Sequence, residues 1–157
     1  ETSSPLRSLL GHNNPITSLI INEKNEIISG SSDKMIKIWN IETGEVKTLM
    51  NSDSVYSLII NKNNELISAS FDSLISIWDM DTGRLKRTIE GHKSIINALA
   101  LNEYNDLVSG SIDGTIKIWN TETGECKQTL NGHLNGIYSL TMNENNELIA
   151  GSGYGAI

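Results

Sequence analysis

The chain alternates short apolar runs with polar turns along its whole length. In one representative stretch, apolar runs with an approximate period of two lie at about 95–101, 106–110, 115–119 and 125–130. Such alternation is typical of half-buried β-strands joined by hairpins. No stretch has the periodicity of an amphipathic helix. The pattern therefore predicts an all-β fold, and the four runs of each unit are called strands a, b, c and d.

The segments between these runs carry the residues that tight turns need. Asparagine tolerates positive φ and bonds its own backbone, and glycine adopts the left-handed conformation without strain. Asparagine-rich a–b turns lie at 22–25, 61–64, 102–105 and 143–146, and glycines of the c–d turns are Gly44, Gly83 and Gly124. We expect hairpins at each of these positions.

The same pattern returns about every 40 residues. One marker is a tryptophan near the end of strand c, a second is an aspartate six residues before it, and a third is a Gly-His pair at the start of the unit. In chain order the markers are His12, Asp33, Trp39, Asp72, Trp78, His92, Asp113, Trp119 and His133. Because three independent markers share one period, the chain is a repeat protein.

The Gly-His pair, followed about 28 residues later by Trp-Asp or Trp-Asn, resembles the WD40 repeat family. The resemblance covers nearly the whole chain and implies an all-β fold of WD40-type β-propeller blades, each with four antiparallel strands. It predicts three complete blades plus a split terminal blade within a single WD40 region, 1–157. The predicted parts are an orphan strand d at 5–10, repeats at 11–50, 51–90 and 91–131, and a partial repeat at 132–157.

Propellers of this family usually close by pairing an N-terminal strand d with strands a to c of the last blade. The chain has this arrangement of strands, but only about four blades' worth of sequence. Three alternatives follow. The chain is a fragment of a longer propeller, a subunit that forms a homodimer completing an eight-bladed ring, or a closed four-bladed monomer.

Charge and composition narrow the class of partner. The formal net charge is −7, from 12 basic and 19 acidic residues, which disfavours nucleic acid and anionic membrane surfaces. The single cysteine, Cys126, provides no disulfide framework and fits a reducing compartment. No run approaches the ~20 apolar residues of a membrane span, and the N-terminus lacks the layout of a signal peptide. We expect a cytoplasmic protein, with a nuclear location as the other possibility.

The resemblance assigns the recurring histidines to a structural network rather than to catalysis or metal binding. In the family, this histidine, a serine on strand b, the turn aspartate and the strand-c tryptophan form buried hydrogen bonds, which suits their donors and acceptors. The matching residues are His12, Ser29, Asp33 and Trp39 in the first repeat, and His92, Ser109, Asp113 and Trp119 in the third. Loss of one member would leave a buried polar group unpaired, at about 1–3 kcal/mol.

The second and fourth repeats depart from this pattern. The second keeps Ser68, Asp72 and Trp78, but the sequence Asn-Ser-Asp at 51–53 stands where Gly-His is expected. We therefore expect a less rigid second blade. The fourth keeps His133 but has Ala150 and Tyr154 at the serine and aspartate positions.

Motifs for catalysis, cofactor binding or metal binding are missing from the sequence. It has no Gly-Lys-Ser/Thr phosphate loop, no paired cysteines with zinc spacing and no His-Glu-x-x-His helix. We expect no enzyme activity, no cofactor and no metal.

The resemblance places partner docking where strand a begins and at the b–c turn. Apolar and aromatic residues exposed there are hot-spot material. The candidate partner-binding residues are Tyr56, Phe71, Ile95, Asn97, Ile112 and Tyr138. The arginines Arg7, Arg84 and Arg87 lie on d strands or the c–d turn, so phosphopeptide capture is not expected.

The predicted function is a non-enzymatic scaffold that binds a peptide or protein loop on this rim. The alternative is the substrate-receptor or regulatory WD40 portion of a larger protein, such as a ubiquitin ligase subunit.

Overall fold

The computed structural model describes residues 8–131 and 135–153 of the chain. The orphan strand predicted at 5–10 lies mostly outside the described residues, and residues 8–10 are not in a strand. His133 and Tyr154 also lie outside them. The described part contains strands and turns and no α-helix, which confirms the all-β fold. No helix in it is long and apolar enough to cross a membrane.

Within the described residues, fourteen strands form three four-stranded antiparallel sheets and one two-stranded sheet, each ordered as in the sequence. Blade 1 comprises β1 (Ile16–Ile21), β2 (Ile27–Ser31), β3 (Met35–Trp39) and β4 (Val46–Met50). Blade 2 comprises β5 (Val55–Ile60), β6 (Glu65–Ser70), β7 (Ile75–Asp79) and β8 (Leu85–Ile89). Blade 3 comprises β9 (Ile96–Leu101), β10 (Leu107–Ser111), β11 (Ile116–Trp119) and β12 (Cys126–Leu130). Blade 4 comprises β13 (Ile137–Met142) and β14 (Leu148–Ser152).

The a–b hairpins form as the asparagine pattern predicts. The last asparagine of each turn has positive φ, between 57° and 66° at Asn25, Asn64, Asn105 and Asn146. The first asparagine fixes the turn through its side chain: Asn22 Oδ1 accepts bonds from the N–H groups of Lys24 (3.0 Å) and Glu26 (2.9 Å). The same pair of bonds recurs in the other three turns.

Each blade has two faces, here called the N-side face, toward the preceding blade, and the C-side face, toward the following blade. Strand alternation places apolar side chains on both faces. At the first junction, Ile28, Ile36 and Leu49 of blade 1 pack against Leu58 and Leu66 of blade 2. Equivalent clusters fill the other two junctions. Since each fully buried Ile or Leu contributes about 1.5–3 kcal/mol, blade-to-blade packing is the main source of stability.

The blades follow one another along an arc. Strand β1 contacts β5, β5 contacts β9 and β9 contacts β13. Among the described residues, no comparable contact joins β13 back to β1. The four units therefore have two open ends: the N-side face of blade 1 and the C-side face of blade 4.

Candidate partner-binding rim and the networks beneath it

A β-bulge occurs at the same position in the first strand of every blade. The pairing register shifts between the first and third residues of β1, β5, β9 and β13, which leaves the second residue unpaired. The four bulge residues are Thr17, Tyr56, Asn97 and Tyr138. Bulges redirect a side chain at a sheet edge. Three of the six candidate residues therefore share one backbone geometry at one end of the blades.

The b–c turn of each blade is tied to this end of the first strand by a backbone hydrogen bond. Ser32 N–H donates to Pro15 O (3.0 Å), and Phe71 N–H donates to Ser54 O (3.0 Å). Ile112 bonds Ile95 (2.9 Å) and Gly153 bonds Gly136 (3.1 Å) in the same way. The bulges and the b–c turns thus form one surface, here called the rim.

Tyr56 and Phe71 meet at the rim of blade 2. Their rings stack with centroids 6.4 Å apart and planes inclined by 29°. Phe71 keeps 50% of its surface exposed, while Tyr56 is half-buried. Aromatic pairs of this geometry contribute about 0.5–1.5 kcal/mol beyond their buried area. The pair is therefore a rigid, exposed apolar platform.

Tyr138 is the second exposed aromatic of the rim. It keeps 58% of its surface exposed. Its ring lies beside Gly153 of the b–c turn, where a side chain would meet Tyr138 Cε2 at 3.4 Å. Blade 4 therefore presents a tyrosine at the position of Tyr56, but with glycine in place of the phenylalanine.

The other three candidates lie at the rim but are engaged in packing or half-buried. Asn97 Nδ2 donates to Ile137 O of blade 4 (3.2 Å), much as Thr17 Oγ1 bonds Val55 O of blade 2. Ile112 packs against Gly136, where a Cβ would lie 2.9 Å from Ile112 Cα. Ile95 is half-buried. The exposed chemistry of the rim is therefore concentrated in the Tyr56–Phe71 pair and Tyr138.

Beneath the rim, blades 1 and 3 contain matching hydrogen-bonded networks. Trp119 Nε1–H donates to Ser109 Oγ (2.7 Å), which lies 2.7 Å from His92 Nε2, while His92 Nδ1 lies 3.1 Å from Asp113 Oδ2. With the Nδ1 proton directed at the carboxylate, Nε2 accepts the Ser109 proton, and each polar group has a partner. His12, Ser29, Asp33 and Trp39 make the equivalent contacts in blade 1, at 2.7–3.1 Å.

The protonation states follow from the environment. Burial lowers the pKa of His92, which favours the neutral imidazole that this arrangement needs. Burial alone would raise the pKa of Asp113, but hydrogen bonds from Lys93 N–H, from Thr115 and from His92 outweigh it and lower that pKa to about 2. Asp33 is similar: burial opposes ionisation, and bonds from Asn13 N–H and His12 prevail to lower its pKa.

Blade 2 keeps its network by substituting an amide for the imidazole. Trp78 Nε1–H donates to Ser68 Oγ (3.0 Å), and Ser68 O–H donates to Asn51 Oδ1 (3.0 Å). The Asn51 amide then donates to Ser70 Oγ (2.6 Å) and to Asp53 O (2.9 Å). Asn51 is buried and bonds the strand-b serine, as the histidines do in blades 1 and 3. It therefore takes the place of the missing histidine.

Asp72, which the resemblance placed in the network of blade 2, does not join it. Its carboxylate accepts a bond from Leu74 N–H (3.2 Å) within its own turn. An amide at position 51 directs its donors to Ser70 and Asp53, so no donor remains for Asp72. In blade 4, Ala150 is buried at the serine position, where it has no hydroxyl to donate.

The described arginines lie away from the rim. Arg87 Nη1 donates to Thr121 O of blade 3 (2.7 Å), and Lys47 Nζ makes the equivalent bond to Asp81 O of blade 2 (2.7 Å). These cations tie the outer strand of one blade to the c–d turn of the next. No group of three or more His, Cys, Asp or Glu in the described ranges is arranged to hold a metal ion.

Comparison with known proteins agrees with this geometry. The sequence profile described as "WD domain, G-beta repeat" matches residues 3–40, 44–79, 83–120 and 124–156. The chain belongs to the WD40 family.

Two solved structures resemble the chain throughout their shared length. The computationally designed Ika4 protein is 34% identical, with a TM-score of 0.86, over 99% of this chain and 96% of that one. The WD40 β-propeller domain of Doa1 is 33% identical, with a TM-score of 0.83, over 90% of this chain and 49% of that one. The WD40 units of this chain therefore have the blade arrangement of about half of that longer solved chain.

A curated relative matches a shorter stretch. Pre-mRNA-processing factor 17 of Saccharomyces cerevisiae (strain ATCC 204508 / S288c) is 44% identical over 50 residues, 31% of this chain. That stretch is only 11% of the yeast protein. This WD40 chain thus spans a small part of that relative's length.

Proposed function

We propose that this WD40 chain is a non-enzymatic scaffold that binds a peptide or protein loop at the rim of blade 2. WD40 propellers are generally protein-interaction scaffolds. The observation that supports the site is the stacking of Tyr56 on Phe71, because half of the Phe71 surface remains exposed. The chain has one phenylalanine and four tyrosines, so an exposed aromatic pair is a scarce feature.

The pair suits an apolar ligand side chain. A ring already stacked on a neighbour loses little conformational freedom on binding, and Tyr56 adds a hydroxyl that can orient a peptide backbone. Truncating a central aromatic anchor commonly costs ~2 kcal/mol or more, which is ~30-fold in the dissociation constant. We expect the partner to be a protein or peptide, because a net charge of −7 disfavours nucleic acid and anionic membranes.

A peptide-display selection tests the site. Peptides selected on the wild-type chain should lose binding to the Tyr56→Ala/Phe71→Ala double variant by ~100-fold in fluorescence anisotropy. The control is Tyr104→Ala, which removes an aromatic that is 73% exposed in an a–b turn, at the other end of blade 3. Unchanged affinity in the double variant, with an unaltered melting temperature, would refute the assignment.

A second candidate is that the chain is the substrate-receptor or regulatory WD40 portion of a larger protein, such as a ubiquitin ligase subunit. It is favoured by two of the similar proteins, of which the chain matches 11% and 49%, whereas it matches 96% of the designed Ika4 protein. An antibody raised against this chain would detect an endogenous protein well above 17.2 kDa. A single band at 17.2 kDa would exclude this candidate.

We further propose that the protein is cytoplasmic, with the nucleus as the other possible location. We also propose that a second copy of the chain is a partner, since two copies supply eight blades.

A further inference from the structure

The N-side face of blade 1 exposes apolar residues at positions that the other blades bury. Ile16 is 50% exposed, whereas the equivalent Val55, Ile96 and Ile137 are 0% exposed. Leu19 is 62% exposed, whereas its equivalents Leu58 and Leu99 are 5% and 8% exposed. Ile21 is also exposed, at 65%. This face is built as a blade-to-blade interface, and the described residues leave it uncovered.

The C-side face of blade 4 is open in the same way. Ile149 is 39% exposed, although its equivalents Ile28, Ile67 and Val108 are 0%, 0% and 1% exposed. Each of the other three packs against a following blade and has a strand c beside it, whereas the described part of blade 4 has neither.

Exposed apolar residues on the outer strand of a blade do not mark an uncovered interface. Val46 on the outer strand of blade 1 is 46% exposed, but its equivalent in the covered blade 2, Leu85, is also exposed, at 50%. Met50 is 74% exposed, and its equivalent Glu90 is exposed too. The two open faces are therefore defined by the inner positions alone, and Val46 and Met50 are matched controls.

The two open faces have complementary shapes. At the junction of blades 1 and 2, Val55 fills the space above Gly30, where a Cβ would lie 2.5 Å from Val55 Cγ1. At the junction of blades 3 and 4, Ile137 fills the space above Gly110 in the same way (2.4 Å). A β-branched knob on each N-side face thus fits a small-residue notch on the preceding C-side face.

One knob and one notch are left over at the ends. Ile16 is the unpartnered knob. Gly151 is the corresponding notch of blade 4; among the described residues no other blade covers it, although Ser139 Oγ of its own blade closely approaches the position of a Cβ.

A hydrogen bond across the a–b turns offers a second match. Lys62 N–H donates to Asn105 Oδ1 (2.9 Å), and Glu103 N–H donates to Asn146 Oδ1 (3.0 Å) of the next blade. Among the described residues this bond forms at two of the three junctions, and not between Glu23 and Asn64. Glu144 on blade 4 and the exposed Asn25 on blade 1 hold the corresponding positions at the two ends, and Asn25 has the same positive φ as Asn105 and Asn146.

The curvature suits two copies. Ninety per cent of the chain aligns with 49% of the Doa1 propeller chain, so the four units match about half of that chain's length. A head-to-tail contact closes into a ring when its rotation divides a full turn. Two half-ring arcs meet that condition.

We infer that two copies pair head to tail into one ring, with Ile16 of each copy seated over Gly151 of the other. The inference rests on the proposed self-association and names its interface, but it is independent of the rim site. The ring would present the Tyr56–Phe71 pair twice.

Light scattering after size exclusion tests the pairing on the chain as it is. The expected mass is twice 17.2 kDa at micromolar concentration. Ile16→Glu and Ile149→Glu should each weaken the dimer by ~100-fold or more, because each buries a carboxylate at both junctions. Val46→Glu and Met50→Glu should leave it unchanged. The substituted residues are exposed in the single chain, so circular dichroism should show every variant folded. The melting temperature of a dissociated variant should fall only by the stability that association adds to the wild-type dimer.

Mixing the two interface variants tests the head-to-tail geometry. A mixed dimer of Ile16→Glu and Ile149→Glu chains has one native junction, whereas each variant alone has none. The mixture should therefore associate more tightly than either variant. Gly151→Val, which fills the notch, should also dissociate the dimer.

A folded wild-type monomer would overturn the inference, and the open faces would then belong to contacts with further blades. A dimer that withstands Ile149→Glu would overturn the head-to-tail interface while leaving self-association standing. Peptide binding by the monomeric Ile16→Glu variant tests the rim separately, so the two proposals can fail independently.

Discussion

Ser109 is the most sensitive single position in the network of blade 3. Its hydroxyl is fully buried, accepts the Trp119 indole N–H at 2.7 Å and lies 2.7 Å from His92 Nε2. The substitution Ser109→Ala removes one oxygen and leaves two atoms, Trp119 Nε1 and His92 Nε2, without a hydrogen bond. Each buried polar group left unpaired costs about 1–3 kcal/mol. We therefore expect a loss of about 2–4 kcal/mol in the free energy of unfolding, a large part of a typical domain's 5–15 kcal/mol.

Urea unfolding followed by tryptophan fluorescence measures this loss, because the tryptophans lie inside the networks. A matched control is Ser76→Ala in blade 2. Ser76 is 4% exposed, no bond from a described residue holds its hydroxyl, and its oxygen reaches solvent, since no fully buried side-chain oxygen of the described residues is unpaired. Removing it should change the free energy of unfolding by less than ~0.5 kcal/mol. Equal effects of the two substitutions would refute the view that the buried hydrogen bonds of Ser109, rather than the loss of a serine hydroxyl as such, determine the cost.

A double-mutant cycle makes the test sharper. Trp119→Phe removes the indole donor, so adding Ser109→Ala to that variant leaves one unpaired group instead of two. The two substitutions should therefore couple by about 1 kcal/mol or more. Strict additivity would show that the indole and the hydroxyl do not stabilise each other.

Further predictions concern the charge states and the amide in blade 2. Because burial lowers the pKa of His92, its contribution to stability is complete above pH ~6.5 and falls as the pH drops from there to the folded-state pKa; His92→Asn should flatten this slope in urea titrations. The pKa of Asp113, about 2 against 3.8, adds stability that is present above pH 3.8 and lost between 3.8 and 2, about 1–2 kcal/mol after allowance for partial solvent access; Asp113→Asn should remove it. Asn51→Leu leaves the Ser68 hydroxyl without its acceptor and should cost about 1–3 kcal/mol, whereas a cost below ~0.5 would contradict the assigned bonds.

The hairpins could be predicted from the sequence because their chemistry is local. An asparagine at the start of each a–b turn bonds N–H groups two and four residues later, as Asn22 does with Lys24 and Glu26. The predicted strands of the third repeat lie within one residue of β9 to β12. Where a residue and its partner lie within four positions of each other, the sequence pattern contains the whole interaction.

The network of blade 2 was missed because the interaction is not local. Asn51 was interpreted as part of a degenerate Gly-His position and the blade was expected to be less rigid, which stays untested. A spacing signal was present: Asn51 precedes Ser68 by 17 residues, as His12 precedes Ser29 and His92 precedes Ser109. Counting back from the serine, rather than forward from the preceding tryptophan, would have identified it.

The sequence places the candidate residues at the start of strand a and at the b–c turn, and their binding of a partner stays a prediction. Contact between blades decides which of these residues are available. Asn97 and Ile112 are residue types common at binding surfaces. However, Asn97 donates to Ile137 O, and Ile112 packs on Gly136. Neither contact is visible in the sequence, because each joins residues of different repeats through tertiary packing. The stacking of Tyr56 on Phe71 joins two residues of one blade that lie 15 positions apart, so it too depends on tertiary packing.

The bulge in the first strand explains how one scaffold presents different chemistry from blade to blade. Its backbone geometry repeats four times, yet its residue changes among Thr17, Tyr56, Asn97 and Tyr138. Threonine and asparagine use their polar groups on the backbone of the next blade, whereas Tyr138 leaves most of its ring at the surface and Tyr56 stacks on an exposed Phe71. Since the buried networks and blade junctions hold the fold without these tyrosines, substitution of Tyr56 or Tyr138 should change partner choice well before it changes stability.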